Sequence, residues 1–398
     1  MITTEERTEE RIETGVMPHQ RPRRFDGRAR AANLAEAWPP LLTFLIVKVF
    51  ALLLGVFAYQ IFTNKPVPNL RAAIAVWNGW DTPHYLNLAQ YGYEATGERS
   101  VGIVFYPLFP WLIRAVGWPL GDYLVGAFIV ANVASFVAVL LLYRLVRLDY
   151  DAAVARQSVW FLSIYPLSYF LHIGYTESLF LALALGAFLA ARTGRWPLVG
   201  LLGALACLTR VNGLILLPAL MLEATAQYRR TRRVEPRWTW LGLLPLGFGG
   251  FLLLNYRVTG DPFTFMRITR EHWHKGLAAP WDGIRSMIIS VSWRPPIDVI
   301  SYVVQQTFFL AISAIGAAVA WFTLRPSYAI WIALNLLLIT STTFIYSLPR
   351  YSLIFFPLPI LFALLARRPI WHSALTAASL MLMALLIVMF ITMTGLAY

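Results

Sequence analysis

Apolar stretches near 20 residues long, each ended by a short polar segment, set the rhythm of this chain from Pro40 to Met393. A hydrocarbon core about 30 Å thick takes about 20 residues of helix to cross. The pattern therefore predicts spans at about 40–62, 122–143, 157–173, 176–191, 238–256, 299–322, 327–346, 352–366 and 370–394. A helix at the edge of a soluble core is apolar on one stripe, whereas Ser373 to Met393 is apolar on every face. The expected class is an all-α polytopic membrane protein with about 9–11 transmembrane helices.

Two further apolar segments do not fit a simple crossing. Val104 to Val116 contains Pro107, Pro110 and Arg114, and a crossing there would place Arg144, Arg147 and Arg156 on the wrong side. It reads as an interfacial or re-entrant helix inside a long first outer loop. Trp196 to Glu223 is interrupted at Arg210, Asn212 and Gly213, with arginines on both flanks. Two half-helices that enter and return satisfy both flanks; a continuous span is the competing reading.

Charge orients this pattern. Charged residues are 13% of the chain, against roughly 25% in soluble domains. The net charge of +13 is carried in short arginine clusters between apolar runs. That is the positive-inside pattern rather than a nucleic-acid footprint. The connections 144–156, 192–195, 223–237, 323–326 and 367–369 are then cytoplasmic, while 63–121 and 257–298 share the outer face. Residues 1–38 read as a disordered, mixed-charge cytoplasmic tail, and 39–398 as a single membrane domain without repeats. Only Lys48, Lys65 and Lys275 are lysines, and Lys48 is expected to snorkel to the cytoplasmic interface. The lone Cys207 excludes an intramolecular disulfide and a cysteine-based zinc site.

Candidate chemistry gathers at the outer ends of the spans. Trp80, Asp81, His84 and Tyr85 follow the first span, and Asp81 suits a general base or a sugar-hydroxyl ligand. The blander reading is an aromatic belt with Asp81 capping the helix behind Pro83. His172, Tyr175 and Glu177 sit at the next outer turn, where Glu177 also suits a helix start. Arg210 is costly at mid-bilayer and needs a partner such as Glu177 or a phosphate, or structural pairing with backbone carbonyls. Arg350 and Tyr351 lie at an outer helix end; Arg267 and Arg270 in the loop 257–298 suit a lipid phosphate, and a plain solvated loop is the stronger reading there. His272 and His274, two apart, are a poor metal signal.

In order, Trp80-Asp81-x-x-His84-Tyr85, Tyr91-Gly92-Tyr93, Phe105-Tyr106-Pro107-Leu108-Phe109-Pro110, Tyr175-Thr176-Glu177-Ser178-Leu179-Phe180, Arg210-Val211-Asn212-Gly213 and Arg350-Tyr351 resemble one family. It is that of the second mannosyltransferase of GPI-anchor assembly, with prokaryotic relatives in the GT-C superfamily. The resemblance covers about residues 40–366. It implies a GT-C-like helical bundle and a hexosyltransferase, with mannose the expected sugar. The donor would be a polyprenyl-phosphate sugar, and transfer to an acceptor hydroxyl would invert the anomeric carbon on the non-cytoplasmic side. Asp81 matches the family's catalytic carboxylate, and Glu177 is the second catalytic candidate. Trp80, His84, Tyr85, His172, Tyr175, Arg210, Asn212, Arg267, Arg270, Arg350 and Tyr351 are expected around donor and acceptor. The expected partners are the bilayer, the lipid-linked donor and an unidentified acceptor. No cofactor or metal is expected, because arginine can hold a phosphate leaving group. The arginine-rich, lysine-poor composition points to a prokaryotic plasma membrane. A secondary transporter or flippase for a lipid-linked or small anionic substrate is the alternative, and a non-catalytic envelope scaffold is a third reading.

Overall fold

The computed structural model describes residues 27–392. By internal contacts the chain divides into 1–38 and 39–398. The tail expected over 1–38 lies for the most part outside the described residues, and the helical bundle belongs to the second unit. The protein is an all-α polytopic membrane protein. Among the described residues the only β feature is one bridge, Leu277 to Thr342. Among the described residues five helices are long and apolar enough to cross a membrane, or up to seven if each of two sharply bent helix pairs is one span.

The helices alternate between two ends of the bundle, one marked by Asp81 and the other by Arg192. Helix α1 (Gly27–Thr63) climbs toward the first, and its apolar part is Trp38–Thr63. Three helices, α2 (Leu70–Ala75), α3 (Thr82–Tyr91) and α4 (Leu108–Leu120), build the long loop after α1. The segment Glu98–Val104 meets α4 at 119°, the bend of either a broken span or a re-entrant loop. Helix α5 (Tyr123–Val146) starts at Asp122, whose Oδ1 accepts from the amides of Leu124 and Val125 at 2.9 and 3.1 Å. Helix α6 (Ala152–Ser163) is capped likewise by Asp151, which accepts from Val154 N at 2.9 Å. The span expected over 157–173 breaks after Ser163. Pro166 disfavours helix in the residue before it, and the chain continues as a 3₁₀ turn, Ser168–Leu171.

Helix α7 (Glu177–Arg192) is buried along almost its whole length and forms the axis of the bundle. The segment with two competing readings is a hairpin packed along it. Helix α8 (Trp196–Cys207) rises from the Arg192 end and α9 (Leu216–Thr231) returns, leaving Arg210 at the turn beside Glu177. At the other end, Gln227 of α9 bonds Ala191 O at 2.7 Å and accepts from Trp196 at 3.2 Å. A Cβ on Gly213 would lie 2.5 Å from Cys207 N, so the tight turn requires glycine there. The enter-and-return reading thus holds over the continuous span.

Helix α10 (Leu243–Thr259) leads to α11 (Thr264–Trp273) and α12 (Pro280–Ile289), which lie in the second long loop. Trp273 of α11 packs against Phe105 at 6.1 Å and His84 at 6.3 Å, so the two long loops share one end as expected. Helices α13 (Gln305–Thr323), α14 (Pro326–Thr340), the single turn α15 (Leu348–Tyr351), α16 (Pro357–Leu365) and α17 (Pro369–Ile391) complete the bundle. The expected span 327–346 stops at Thr340, because Ala278 and Thr343 draw residues 341–343 into hydrogen bonds with the second loop. The span expected over 352–366 is bent by 81° ahead of Pro357, whose ring cannot continue the preceding turn.

Lys48 departs from expectation. Only 7% exposed, it does not reach an interface. Its ammonium lies 4.9 Å from the Phe136 ring centroid, so an aromatic face replaces water. At the Arg192 end, Arg192 grips Asp149 through both terminal nitrogens at 2.7 and 2.6 Å. Arg325 grips the buried Glu223 at 2.9 Å through two nitrogens. Arg325 also lies 3.9 Å from Asp149 and Arg192 3.8 Å from Glu223, so the four side chains tie the end of α7, the connections after α5 and α13, and helix α9 together.

A candidate active site of two carboxylates and two arginines

Asp81 and Arg350 meet where the backbone is bent out of its ordinary conformations. Trp80, just before Asp81, has φ +58°, and Ser347, three before Arg350, has φ +62°. Such left-handed positions are unfavourable for a bulky residue, and persist where surrounding structure over-determines them. Asp81 stands at the N-cap position of α3, yet its side chain makes no capping bond. The carboxylate instead accepts from Arg350, with Nη1 to Oδ2 at 2.7 Å. The blander capping role is therefore not the one its side chain plays. The Tyr175 hydroxyl fastens the turn from below, accepting from Asp81 N–H and donating to Gly79 O, both at 3.2 Å.

Glu177 opens α7 and is wholly buried. Its Oε1 lies 2.6 Å from Arg210 Nη1 and 3.4 Å from Arg350 Nε, while the Thr176 hydroxyl accepts from Arg210 at 3.0 Å. Its Oε2 is buried without a hydrogen-bond partner. The order is Asp81, Arg350, Glu177, Arg210: two negative and two positive groups in alternation. Balance matters here, since a buried ion left unpaired costs several kcal/mol. Asp81 is the more accessible acid, its side chain 22% exposed against 1% for Glu177.

Aromatic rings enclose the charges. Tyr351 lies 4.9 Å from the Arg210 guanidinium, 5.3 Å from that of Arg350 and 5.8 Å from the Lys275 ammonium. Tyr175 lies 5.3 Å from Arg350. Three cations thus converge on one ring. Tyr85 is buried against Phe105, Phe109 and Tyr175. Burial pushes its phenol well above the ordinary range, and the nearby Asp81 and Glu177 charges push the same way. His84 stacks on Phe105 at 5.1 Å, three residues from Asp81. Trp80 is half-buried beside it.

Of the residues singled out by sequence, Asp81, Tyr85, Tyr175, Glu177, Arg210, Arg350 and Tyr351 come together, with Trp80 and His84 at the edge. Others turn elsewhere. His172 is fully buried, its ring 5.1 Å from Phe44 and its carbonyl bonded by Asn132 at 2.9 Å. Asn212 donates to Asn335 at 2.7 Å inside the bundle. Arg267 faces solvent in an i,i+4 pair with Glu271, and Arg270 is exposed on the same helix. Sequence reasoning did not single out Gly79 or Trp273 as site residues. Among the described residues, no three His, Cys, Asp or Glu side chains gather as a metal-binding group.

Residues 106–252, somewhat over a third of the chain, match the dolichyl-phosphate-mannose-protein mannosyltransferase family. The match does not extend to the GPI mannosyltransferase family that the motifs resemble. No curated protein matches. Among solved structures, the chain is similar to the archaeal oligosaccharyltransferase AglB from Archaeoglobus fulgidus, solved in complex with an inhibitory peptide and a dolichol-phosphate. The identity is 13% and the TM-score 0.44, and the similarity covers 89% of this chain but only 56% of AglB.

Proposed function

We propose that this protein is a GT-C glycosyltransferase that moves a hexose, mannose being the expected sugar, from a polyprenyl-phosphate donor to an acceptor hydroxyl with inversion. The observation that carries the reading is the alternating chain Asp81–Arg350–Glu177–Arg210 at one end of the bundle. It sets a partly accessible carboxylate beside guanidiniums suited to a phosphate. The family match over 106–252 supports a lipid-linked mannosyl donor.

In this reading the acceptor hydroxyl attacks the anomeric carbon as its bond to the phosphate oxygen breaks. The hydroxyl proton passes to Asp81, and the bonding pair departs with polyprenyl phosphate. A positioned base contributes roughly 10²–10⁴-fold. Arg350 and Arg210 meet the charge that develops on the leaving phosphate, as paired donors do best in a site shielded from water. The arriving phosphate gives Arg350 a further acceptor and loosens its hold on Asp81 Oδ2. Glu177, wholly buried, acts through the two arginines by fixing their positions. No metal is required, since the arginines carry the phosphate charge. The arginine-bearing connections at the Arg192 end support a cytoplasmic placement of that end, and with it a site on the opposite face of a prokaryotic plasma membrane.

The test is to incubate purified full-length protein with a panel of polyprenyl-phosphate hexoses and a membrane extract as acceptor source. Polyprenyl phosphate should be released from the mannosyl donor, with or without EDTA. Release from no donor overturns glycosyl transfer. Release from another hexose alone overturns the choice of mannose.

A further inference from the structure

A groove of about 640 Å³ runs along the outside of the bundle between α4, α5, α7 and α8. It follows α7 from Leu179 to Thr193, about 21 Å at 1.5 Å per residue. That exceeds the ~15 Å half-thickness of a hydrocarbon core. Val133 and Val137 of α5 and Leu183 and Gly186 of α7 form its walls. Val133 is 60% exposed and Val137 46%, so the groove is open along its side. Its polarity is one-sided. Leu112 and Val116 close the end nearer Asp81, whereas Arg144 and Arg195 stand at the Arg192 end. Among the described residues lining it there is no Asp or Glu.

We propose that this groove holds one acyl chain of an anionic glycerophospholipid, with its phosphate at Arg144 and Arg195. The charge order selects this occupant. A polyprenyl phosphate held at Arg350 would run the apolar end of its tail into two guanidiniums. A lipid of the leaflet at the Arg192 end places its anion against those cations and its chain against the apolar walls. The thiol, the histidines and the acids of the chain play no part. The inference is therefore independent of the proposed transfer reaction.

The experiment uses the full chain in uncharged detergent, titrated with phosphatidylglycerol or phosphatidylcholine, with retained lipids counted by native mass spectrometry. One phosphatidylglycerol should be retained at roughly thirtyfold lower lipid concentration than phosphatidylcholine, as two cations near an anionic headgroup would give. Arg144→Gln/Arg195→Gln should erase that preference. Arg144→Gln alone, at an exposed position, should reduce it if the double variant does not fold. Val137→Trp, which narrows the groove, should reduce retention of both lipids. Equal retention of the two lipids by the unaltered protein overturns the proposal. So does an undiminished preference in the arginine variants, or full retention by Val137→Trp.

Discussion

Arg350 reaches across 269 residues of sequence to place Nη1 2.7 Å from Oδ2 of Asp81. The contact closes the end of the bundle, because Asp81 follows the first apolar helix and Arg350 precedes the last two. Asp81→Asn keeps an oxygen for Arg350 to bond but removes the base. The variant should fold, and transfer should fall by about 10²–10⁴-fold with little change in donor KM. Turnover of the variant within threefold of the unaltered enzyme would remove Asp81 from the role of base.

Arg350→Lys separates charge from geometry. A lysine retains the cation but has no planar fork, so it cannot bond Asp81 and Glu177 together as a guanidinium does. Donor KM should rise by at least tenfold, whereas melting in detergent should shift less than for Arg350→Gln, which leaves Asp81 without its counter-ion. Equal melting of the two variants would argue against a charge-balanced cluster.

Glu177 and Arg210 should behave as one unit. Removing either partner of a buried pair costs about 3–5 kcal/mol, and residues in one network couple by about 0.5–3 kcal/mol. Unfolding in mixed micelles should show that Glu177→Gln/Arg210→Gln loses less stability than the two single changes added. Strict additivity would mean that the 2.6 Å contact carries no coupling.

Much of this arrangement is legible in the sequence. Asp81, Glu177 and Arg350 each lie at the end of an apolar run, so alternating the runs through a bilayer brings them to one face. The hairpin at Arg210 follows from arginines on both flanks. What stays hidden depends on packing between distant segments. Periodicity says nothing of Trp273 lying against Phe105 and His84, nor of Asn335 answering Asn212. Lys48 is misplaced by sequence reasoning for the same cause. Snorkelling is inferred from side-chain length, while the Phe136 ring that receives its ammonium belongs to another helix. His172 resembles a site residue because it neighbours Tyr175, but the turn before α7 points its ring into the core.

The α8–α10 seam offers a test of packing. A Cβ on Gly247 would lie 2.1 Å from Ala204 O and 2.8 Å from its carbonyl carbon, both backbone, whereas one on Gly249 meets nothing within 4 Å. Overpacking against atoms that cannot rotate away costs about 1–3 kcal/mol. Gly247→Ala should lower the melting temperature in detergent. Gly249→Ala should leave it unchanged or raise it, since alanine is favoured over glycine inside a helix by about 0.5–1 kcal/mol. The same drop for both would show that α8 and α10 are not in backbone contact.

Asp122 carries the pH dependence expected at the start of α5. Partial burial opposes its charge, but the amides of Val125 and Leu124 and the Arg71 guanidinium outweigh that effect and hold its carboxyl below the ordinary carboxylate range. A depressed folded-state pKa means stability that is present above the unfolded-state value and lost as pH falls through the folded one. Melting should therefore be insensitive to this residue's titration near neutrality and decline only in acid. Asp122→Ala should cost about 0.5–2 kcal/mol at neutral pH, as loss of an N-cap does, and the gap between variant and parent should narrow on acidification. A gap of constant size down to strong acid would show that the uncharged carboxyl caps α5 as well as the carboxylate, and that Arg71 adds nothing.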